Sequence, residues 1–576
     1  MKIHLNESHL PLTKKDIVAI DTELYGMNSD RLHWNNEGKF ASMQYTFDGE
    51  NIYVVDQESG VQGAMDLIID AIHVFHNAYF DVIHLRRWCN YPDKGNMYDT
   101  HLLEKLLFSG YYDSFGLADL VRRYFGDIRE KETREEFATK STMTKEMLEY
   151  SALDAFDTYR VFMKQKELLS ERRDALKVWK VVDQPALYAL VDLLPTYIDI
   201  ETWNKIADEN EQKALEIKIE AEQRWGINIG STMQVQKILT ARGFSVDGSG
   251  EKVLHRLLKR KQKDNFIERV LEYRYCSKRA STYGKSWNKK FFDPDGTSRP
   301  GFNVSEAMTG RMSSSKFNLQ NIPAEEKYRA CVIASPDCKI LVTDYSAQEP
   351  RITAYESQDP LLIKMTQITG ESIHVSVGRE LFNDPNLSKK DKRYKAAKGC
   401  NLGIQYGLTA VGLQRDLNDK KEDGEPDVSR EEAQELLNQY FSKFPGVKTW
   451  AYRQRSFVKS VGYVTTKMGR RAYLNPHNWQ SGNNALNSPI QGGAADITKL
   501  ALSEIRKESY NRWGKWYCFG VVHDEIDFNV PNEIFDEHKE MVEKIMIDCA
   551  ERIYTGIKFE VESKWGDNWA CKMEEE

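Results

Sequence analysis

The chain has 576 residues, well beyond the length at which a single hydrophobic core stops growing, so at least two domains are expected. Its 41% hydrophobic, 11% aromatic and 29% charged residues exclude intrinsic disorder and collagen-like repeats. A formal net charge of -7, from 80 Lys plus Arg against 87 Asp plus Glu, excludes a chain that coats a polyanion by bulk positive charge, so any polyanion site must be a local patch. The eight cysteines form no CxxC pair, which points to neither a zinc ribbon nor a disulfide framework and makes a reducing cytoplasm the expected location. The N-terminus lacks the apolar stretch of a signal peptide and no run of about 18 apolar residues occurs, so neither export nor a membrane span is expected.

In chain order, the first predicted strand is the apolar run 17–20, which ends in Asp21-Thr22-Glu23. A polar, hairpin-like stretch follows, and the run 71–83 continues an α/β layer. From about 160 to 290, apolar positions three and four apart in a charged background predict helices that bury one face and solvate the other. A second strand, 339–344, ends in Asp344, and long helical patterns separate it from a third at 516–530; these two would form the core of a second domain. Ser388 with Asp391, and Ser429 with Glu432, read as helix N-terminal caps. Residues 420–427 read as an exposed loop and the charge run 129–136 as a solvated surface.

Asp21 and Glu23, two apart on a strand, point to the same side of a sheet, as ligands of one divalent ion must. Asp81 closes the run from His76, and Tyr150 and Asp154 stand one helical turn apart. In this order the three segments resemble the DxE, Nx3D and Yx3D motifs of the DnaQ-like 3′→5′ exonucleases. That resemblance implies an active nuclease in which Asp21, Glu23, Asp81 and Asp154 bind two divalent ions, Tyr150 orients the attacking water and Asn77 helps to position the substrate end. Hard cations prefer carboxylate oxygen, and phosphodiester hydrolysis uses two of them, one to generate hydroxide and one to stabilise the leaving oxygen.

A second pair, Asp344 and Asp524, closes apolar strands about 180 positions apart. If those strands lie side by side, both carboxylates reach one point, which is the requirement of two-metal phosphoryl transfer. Between them, Lys398, Leu402 and Tyr406 recur every four residues, so a helix there presents an ammonium, an apolar contact and an aromatic ring in one stripe. Lys389, Lys390, Lys392, Arg393 and Lys395, just before it, would draw polyphosphate.

With TGRMSSSKFNLQNIP (309–323), DYSAQEPR (344–351), YFSKFPGV (440–447), GYVTTKMGRR (462–471), NSPIQGGAADITK (487–499), VVHDE (521–525) and WGDNW (565–569), the chain resembles the family A DNA polymerases, with a proofreading domain and without the 5′ nuclease domain. The resemblance implies an RNase H-like (DnaQ-like) exonuclease domain over 1–180, in a mixed α/β and α+β chain. A right-hand polymerase domain over 181–576 would follow, with the thumb at about 200–290, the palm at about 300–358 and 490–576, and the fingers at about 359–489. It implies catalytic metals, two Mg2+ per active site with Mn2+ as a substitute, on Asp344, Asp524 and the Tyr345 carbonyl, with Glu525 nearby. Glu349 falls where the family blocks the ribose 2′ hydroxyl, which implies dNTP substrates. His374, Lys398 and Arg393 would contact the nucleotide phosphates, Leu402 would face the sugar, and Tyr406 would border the templating base. Arg311, Asn487, Gln491 and His523 would touch the primer–template, in a minor groove whose acceptors are common to all correct pairs. Lys278, Arg279 and Lys285 are candidate backbone contacts in the thumb.

Three departures from the family pattern stand out. Tyr394 occupies the position of a phosphate-gripping Arg, for which Arg393, Lys395 or Lys390 could substitute; Leu402 replaces an aromatic; Asn483 replaces an Arg that contacts the template. Pro350 also replaces a usual Leu, and would cap or bend the helix start there. A single-subunit RNA polymerase shares the palm carboxylates, but Glu349 and the proofreading motifs argue against it, and a scaffold with dead sites would have lost carboxylates that are present. The length and the departures point to a bacteriophage replicative enzyme acting in the host cytoplasm with helicase and single-strand binding protein as partners. The stretch 226–280 is too short for a thioredoxin-binding insertion.

Overall fold

The computed structural model describes the chain apart from residues 27–37, 129–135, 245, 247, 261–263, 404–406, 408, 421–426 and 572–576. The charge run 129–136 and the loop 420–427 therefore fall almost wholly outside the described residues, as does Tyr406. Among the described residues no helix is long and apolar enough to cross a membrane.

The N-terminal part is a six-stranded sheet of β1 (Lys2–Leu5), β2 (Ile17–Tyr25), β3 (Lys39–Thr46), β4 (Asn51–Val55), β5 (Ile72–Phe75) and β6 (Met97–Asp99), in the order β1-β4-β3-β2-β5-β6. The pairs β2/β5 and β5/β6 are parallel, β2/β3 and β3/β4 antiparallel. β2, central in the sheet, opens on the unbroken buried run Ile17–Ile20, as a strand covered on both faces does. Asp21 and Glu23 do not end their strand as expected. β2 runs on to Tyr25, because Thr22 and Leu24 keep filling the buried face while Asp21, Glu23 and Tyr25 stay partly exposed on the other.

Helix α1 (Ala78–Cys89) follows β5, α2 (Thr100–Phe108) follows β6, and the 27-residue α3 (Lys145–Glu171) packs across β2, β3 and β4. Helices from Arg173 to Val191, the last being α4 (Gln184–Val191), lead out of this layer. Then α5 (Ile200–Trp225) and α6 (Asn265–Tyr283) lie against each other around Ile217, Ala221, Phe266 and Val270. Asp264 caps α6 by accepting the N–H groups of Phe266 and Ile267. Arg279 and Lys285 in this region pair with Glu325 and Asp208, both at 2.6 Å, and Lys278 is exposed.

The C-terminal sheet joins β7 (Cys338–Tyr345), β8 (Cys518–Val522), β9 (Glu525–Pro531) and β10 (Val561–Gly566) in the order β8-β9-β7-β10, all antiparallel. The run 516–530 is thus a hairpin rather than one strand. Val522 pairs with Glu525 across a two-residue turn of His523 and Asp524. Such a turn needs a positive φ, usually supplied by glycine, and here His523 takes it at φ 61°. No glycine marks it in the sequence, which is why the alternation reads as continuous.

Around this sheet run α7 (Gln348–Ser357), α8 (Ile373–Phe382), α9 (Arg393–Gly403), α10 (Arg430–Lys443), α11 (Pro445–Val461), the 33-residue α12 (Ser481–Trp513) and α13 (Phe535–Ile553). Pro350 lies in the first turn of α7, where its missing N–H costs no helical bond. The expected capping box of Ser429 and Glu432 is present. Ser388 is not a cap: α9 begins only at Arg393, whose N–H is taken by the Asp391 carboxylate at 2.8 Å.

The two parts are joined by a fully buried cluster of charges. Asp183 accepts from Arg470 at 2.7 Å and from Lys499 at 2.8 Å, and Asp496 accepts from Arg470 at 2.9 Å and from Thr466 at 2.7 Å. Gly310, at φ +85°, lets the backbone pass over this group, since a Cβ there would stand 2.5 Å from the Arg470 side chain. Burial pushes the Asp183 carboxyl up, but the charges of Arg470 and Lys499 outweigh it and hold it below its usual range.

Removing one member leaves buried charge uncompensated, so Asp183→Asn is expected to cost about 3–5 kcal/mol of stability. Adding Lys499→Met should recover much of that. Because the folded-state pKa of Asp183 is depressed, its contribution is present above the unfolded value of about 4 and is lost as pH falls through the folded value. Melting temperatures from pH 7 down to 3 would check this. Asp183→Asn should lie far below the parent at pH 7 and approach it in acid; equal melting at pH 7 would refute the assignment.

Two candidate carboxylate sites

In the first site, Asp21 and Glu23 project from β2 and Asp154 from α3, and each offers an oxygen within 4.8 Å of the others. This is the only such trio among the described residues. Asp81 does not join it. Its carboxyl is turned to Thr22, whose hydroxyl donates at 2.8 Å, and it is 2% exposed. Burial raises the Asp21 carboxyl well above its usual range, and the charges of Glu23, Asp81 and Asp154 raise it further, while a hydrogen bond from the Gln44 amide opposes the shift. Burial likewise pushes Asp81 up to about 8. Partly buried carboxylates that repel one another fit a divalent cation as their counter-charge.

Tyr150 stands one turn before Asp154 on α3, its ring 6.4 Å from that of Phe137. Asn77 is exposed at the start of α1 with φ 68° and no side-chain cap bond. The residue that fixes this corner is Asp99, which the motif reading missed. Its buried carboxylate accepts the backbone N–H groups of Asn77, Ala78, His101 and Leu102, so it holds the starts of α1 and α2 together. An Asp at a strand end before a helix was the available signal.

In the second site, Asp344 on β7 lies between Glu525 on β9 and Glu562 on β10 in the strand register, with Asp524 in the adjoining turn. The carboxylates form a row rather than a closed trio. Burial pushes Asp344 up to about 8, helped by the charges of Asp524, Glu525 and Glu562, and one of its oxygens is buried without a hydrogen bond. Burial also raises Asp524 and Glu525, opposed by Arg311 and His523 at the first and by Arg329 at the second. Beneath Glu525 on the same face is Asp527, also missed, wholly buried and bonded to the Trp569 indole N–H at 3.1 Å. Burial keeps its carboxyl far above the usual range, within hydrogen-bonding reach of Glu525. The alternation of Glu525 and Asp527 was a legible sign of one shared face.

Arg311 donates to Glu349 at 2.7 Å and, with Gln348, Thr498, His523 and Asp524, lines one recess. Gln491 accepts from Thr309 at 2.9 Å, and the Asn487 side-chain oxygen is buried without a partner. Tyr345 is buried at the end of β7, its hydroxyl bonded to the Met546 carbonyl at 2.7 Å, so its ring is turned into the core.

On α8 and α9, His374 and Lys398 come together. Burial holds the His374 ring down at about 4, and the nearby charges of Lys398 and Lys389 add to this, so the ring is neutral. Tyr440 donates to the Asn401 oxygen at 3.1 Å, which leaves the Asn401 amide N–H to meet His374 Nδ1 at 3.1 Å. The proton of the neutral ring is therefore on Nε2. Lys398 is exposed, and Leu402 is half-buried one turn on. Arg393 is not brought to this group. Its guanidinium is held by Asp391 at 2.6 Å and Asp384 at 2.5 Å. Tyr394 packs edge-on to His374 at 6.5 Å, and Lys389 is the cation beside it.

Residues 201–571 match the family model described as DNA polymerase family A, and residues 3–170 match that of a 3′-5′ exonuclease. DNA polymerase I of Lactococcus lactis subsp. cremoris is 32% identical over 317 residues, 53% of this chain and 34% of that protein. DNA polymerase I of Pseudomonas aeruginosa is 27% identical over 515 residues, 83% of this chain and 54% of that one. The chain thus spans between a third and a little over half the length of these relatives. The solved POL domain of Pol1 from M. smegmatis, in complex with DNA primer-template and dNTP, superposes with a TM-score of 0.81 over 97% of this chain and 96% of that one, at 24% identity, which shows a shared fold.

Partners of a metal ligand typically contribute 10- to 100-fold to metal affinity. Gln44→Leu is therefore expected to weaken Mn2+ binding at the first site by about that factor, and Asp154→Ala by more. Calorimetry in an Asp344→Asn, Asp524→Asn background isolates the site; unchanged affinity in Gln44→Leu would count against the trio as the cation site.

Proposed function

The chain belongs to DNA polymerase family A, and on that premise we propose that it extends a primer on a DNA template with dNTPs and removes misincorporated 3′ ends by its own 3′→5′ exonuclease. One observation carries this reading: a single chain builds two separate, partly buried carboxylate clusters, one with Tyr150 a helical turn from its Asp154, the other beside Arg311, Glu349 and His523. The proposed division puts the nuclease in 1–180 and the polymerase in 181–576. The thumb takes about 200–290, the palm about 300–358 and 490–576, and the fingers about 359–489. It is supported by the family matches, which leave only 171–200 between them.

Asp21, Glu23 and Asp154 hold the nuclease cations, with Asp81 turned to Thr22 at their side; Asp344, Asp524 and the Tyr345 carbonyl hold those of the polymerase. Bound Mg2+ supplies charge neutralisation at the phosphate and lowers the pKa of the attacking oxygen's proton. At the nuclease, the Tyr150 hydroxyl orients water and Asn77 seats the 3′-terminal nucleotide. At the polymerase, the Glu349 side chain, held by Arg311 at 2.7 Å, leaves no room for a 2′ hydroxyl. His374 donates through Nε2, and Lys398 and Lys389 meet the triphosphate as point charges. Leu402 lies against the sugar. Asn487, Gln491, Arg311 and His523 inspect the primer terminus by its minor-groove acceptors. Helicase and single-strand binding protein are the proposed replisome partners.

Asp21→Ala with Glu23→Ala should lower degradation of single-stranded DNA by at least about a hundredfold while leaving primer extension intact, and Asp524→Ala should do the reverse, since each removes electrostatic stabilisation used only in its own reaction. Degradation that survives the first variant would move the nuclease elsewhere. Glu349→Ala should admit NTPs with little loss of dNTP incorporation; a parent enzyme preferring NTPs would sink the DNA polymerase reading.

A further inference from the structure

Helix α11 buries Val447, Trp450, Ala451 and Val458. Its opposite face carries Lys448, Tyr452, Arg455 and Lys459, spaced four, three and four apart, so they form one exposed stripe. Tyr452 is 74% exposed, and the helix has no Asp or Glu. In a chain of net charge -7 this is unusual, and among the described residues none of these cations has a carboxylate partner. On α12 and α13, by contrast, Arg512 is paired with Glu508 and Lys544 with Asp548.

The stripe adjoins residues 475–480, all exposed, in which Trp479 is 79% exposed. Arg455 Nε donates to the Gly482 carbonyl at 3.4 Å, tying the stripe to the first turn of α12. In the same turn Asn483 packs against Gly407, just beyond α9: a Cβ on Gly407 would lie 1.9 Å from its side-chain oxygen. Asn487 follows one turn along α12 and Gln491 two, and further along the same helix Ala494, Ala495 and Thr498 line the recess of Arg311 and Asp524. At 1.5 Å per residue, Asn487 is about 9 Å from the start of the helix. The stripe and Trp479 thus mark the outer end of the helix that lines the primer–template site.

We propose that Lys448, Tyr452, Arg455 and Lys459, with Trp479, bind single-stranded DNA, namely the unpaired 5′ extension of the template ahead of the polymerase site. This rests on the polymerase reading above. Three cations over about 16 Å, the first two about two turns apart and the last one turn on, suit the phosphates of a strand without reading its sequence. Exposed indole and phenol rings add little to a duplex backbone, whose bases are stacked inside, but offer stacking platforms to unpaired bases. An acidic protein surface would meet the same charges but would not depend on template length.

The test uses primer–templates with one duplex and 5′ template extensions of about 2 or about 12 nucleotides; a blocked primer is used to read binding by fluorescence anisotropy against salt, and an unblocked primer to read extension. Wild type should bind the long extension more tightly and with a steeper salt dependence, by about two in log–log slope for three cations at roughly 0.7 each. Lys448→Ala, Arg455→Ala, Lys459→Ala together should lose that extra slope, and Trp479→Ala should lose roughly fivefold or more of the extra affinity. Both should bind and extend the short template like wild type. The proposal is overturned if wild type shows no gain from the extension, if the variants keep the gain, or if they weaken both templates equally. The polymerase reading fails separately, by absence of dNTP incorporation in wild type on the short template.

Discussion

The buried group of Asp183, Arg470, Asp496 and Lys499 is the constraint on which the arrangement of the molecule depends. Two acids and two bases cancel in charge, and all four are excluded from water, so the group is stable only with all its members in place. Its members come from three remote stretches: the helical segment leaving the N-terminal sheet, the turn before Arg471, and α12. Asp496 and Lys499 lie one and two turns beyond Gln491 on that helix. The same rod thus carries the polar side chains proposed to meet the primer terminus and the charges of the joint between the two parts. Around it, Arg506 with Asp192 and Asp93, Arg471 with Asp174 at 2.9 Å, and Lys105 with Glu306 at 2.8 Å extend the joint outward. On the proposed function, a nuclease and a polymerase working on one DNA end need such a fixed relation between their sites.

The two carboxylate sites solve one electrostatic problem by different backbones. The first uses the two-residue period of a single strand and one helical residue, which brings three oxygens within 4.8 Å. The second spreads its acids across three adjacent strands and a turn, and its members come no closer than a row allows. In both, burial and mutual repulsion raise the carboxyl groups, and in both the relief expected from a divalent cation is the stabilising event. The neighbours differ accordingly. Gln44 and Asp99 fix the first site through an amide and four backbone N–H groups, whereas Arg311, Arg329 and the buried Asp527 flank the second.

Much of this was legible in the amino-acid order. The strand alternation around Asp21 and Glu23, the helical turn between Tyr150 and Asp154, the capping box at Ser429 and the four-residue spacing of Lys398 and Leu402 are local properties, fixed by the periods of strand and helix. The errors are of one kind. The hairpin at His523 and Asp524 was hidden because its turn uses a strained non-glycine residue, and the early end given to β2 ignored the pairing with β3 that carries it to Tyr25. Arg393 read as a phosphate ligand because its charge was visible, while Asp384, nine residues away, was not seen to claim it.

The sequence by itself determined the chemistry: which acids could hold metal, which segments were strand or helix, and that two sites share one chain. Only the tertiary structure decided which charges were free to act. Whether Arg393 or Lys389 stands by His374, whether Asp81 joins the trio or turns to Thr22, and whether the cations of α11 are neutralised all depend on contacts between residues far apart in the chain. An ionic partner tens or hundreds of residues away leaves no local period to read, and pairing or burial sets the energy of a charged group more than its identity does.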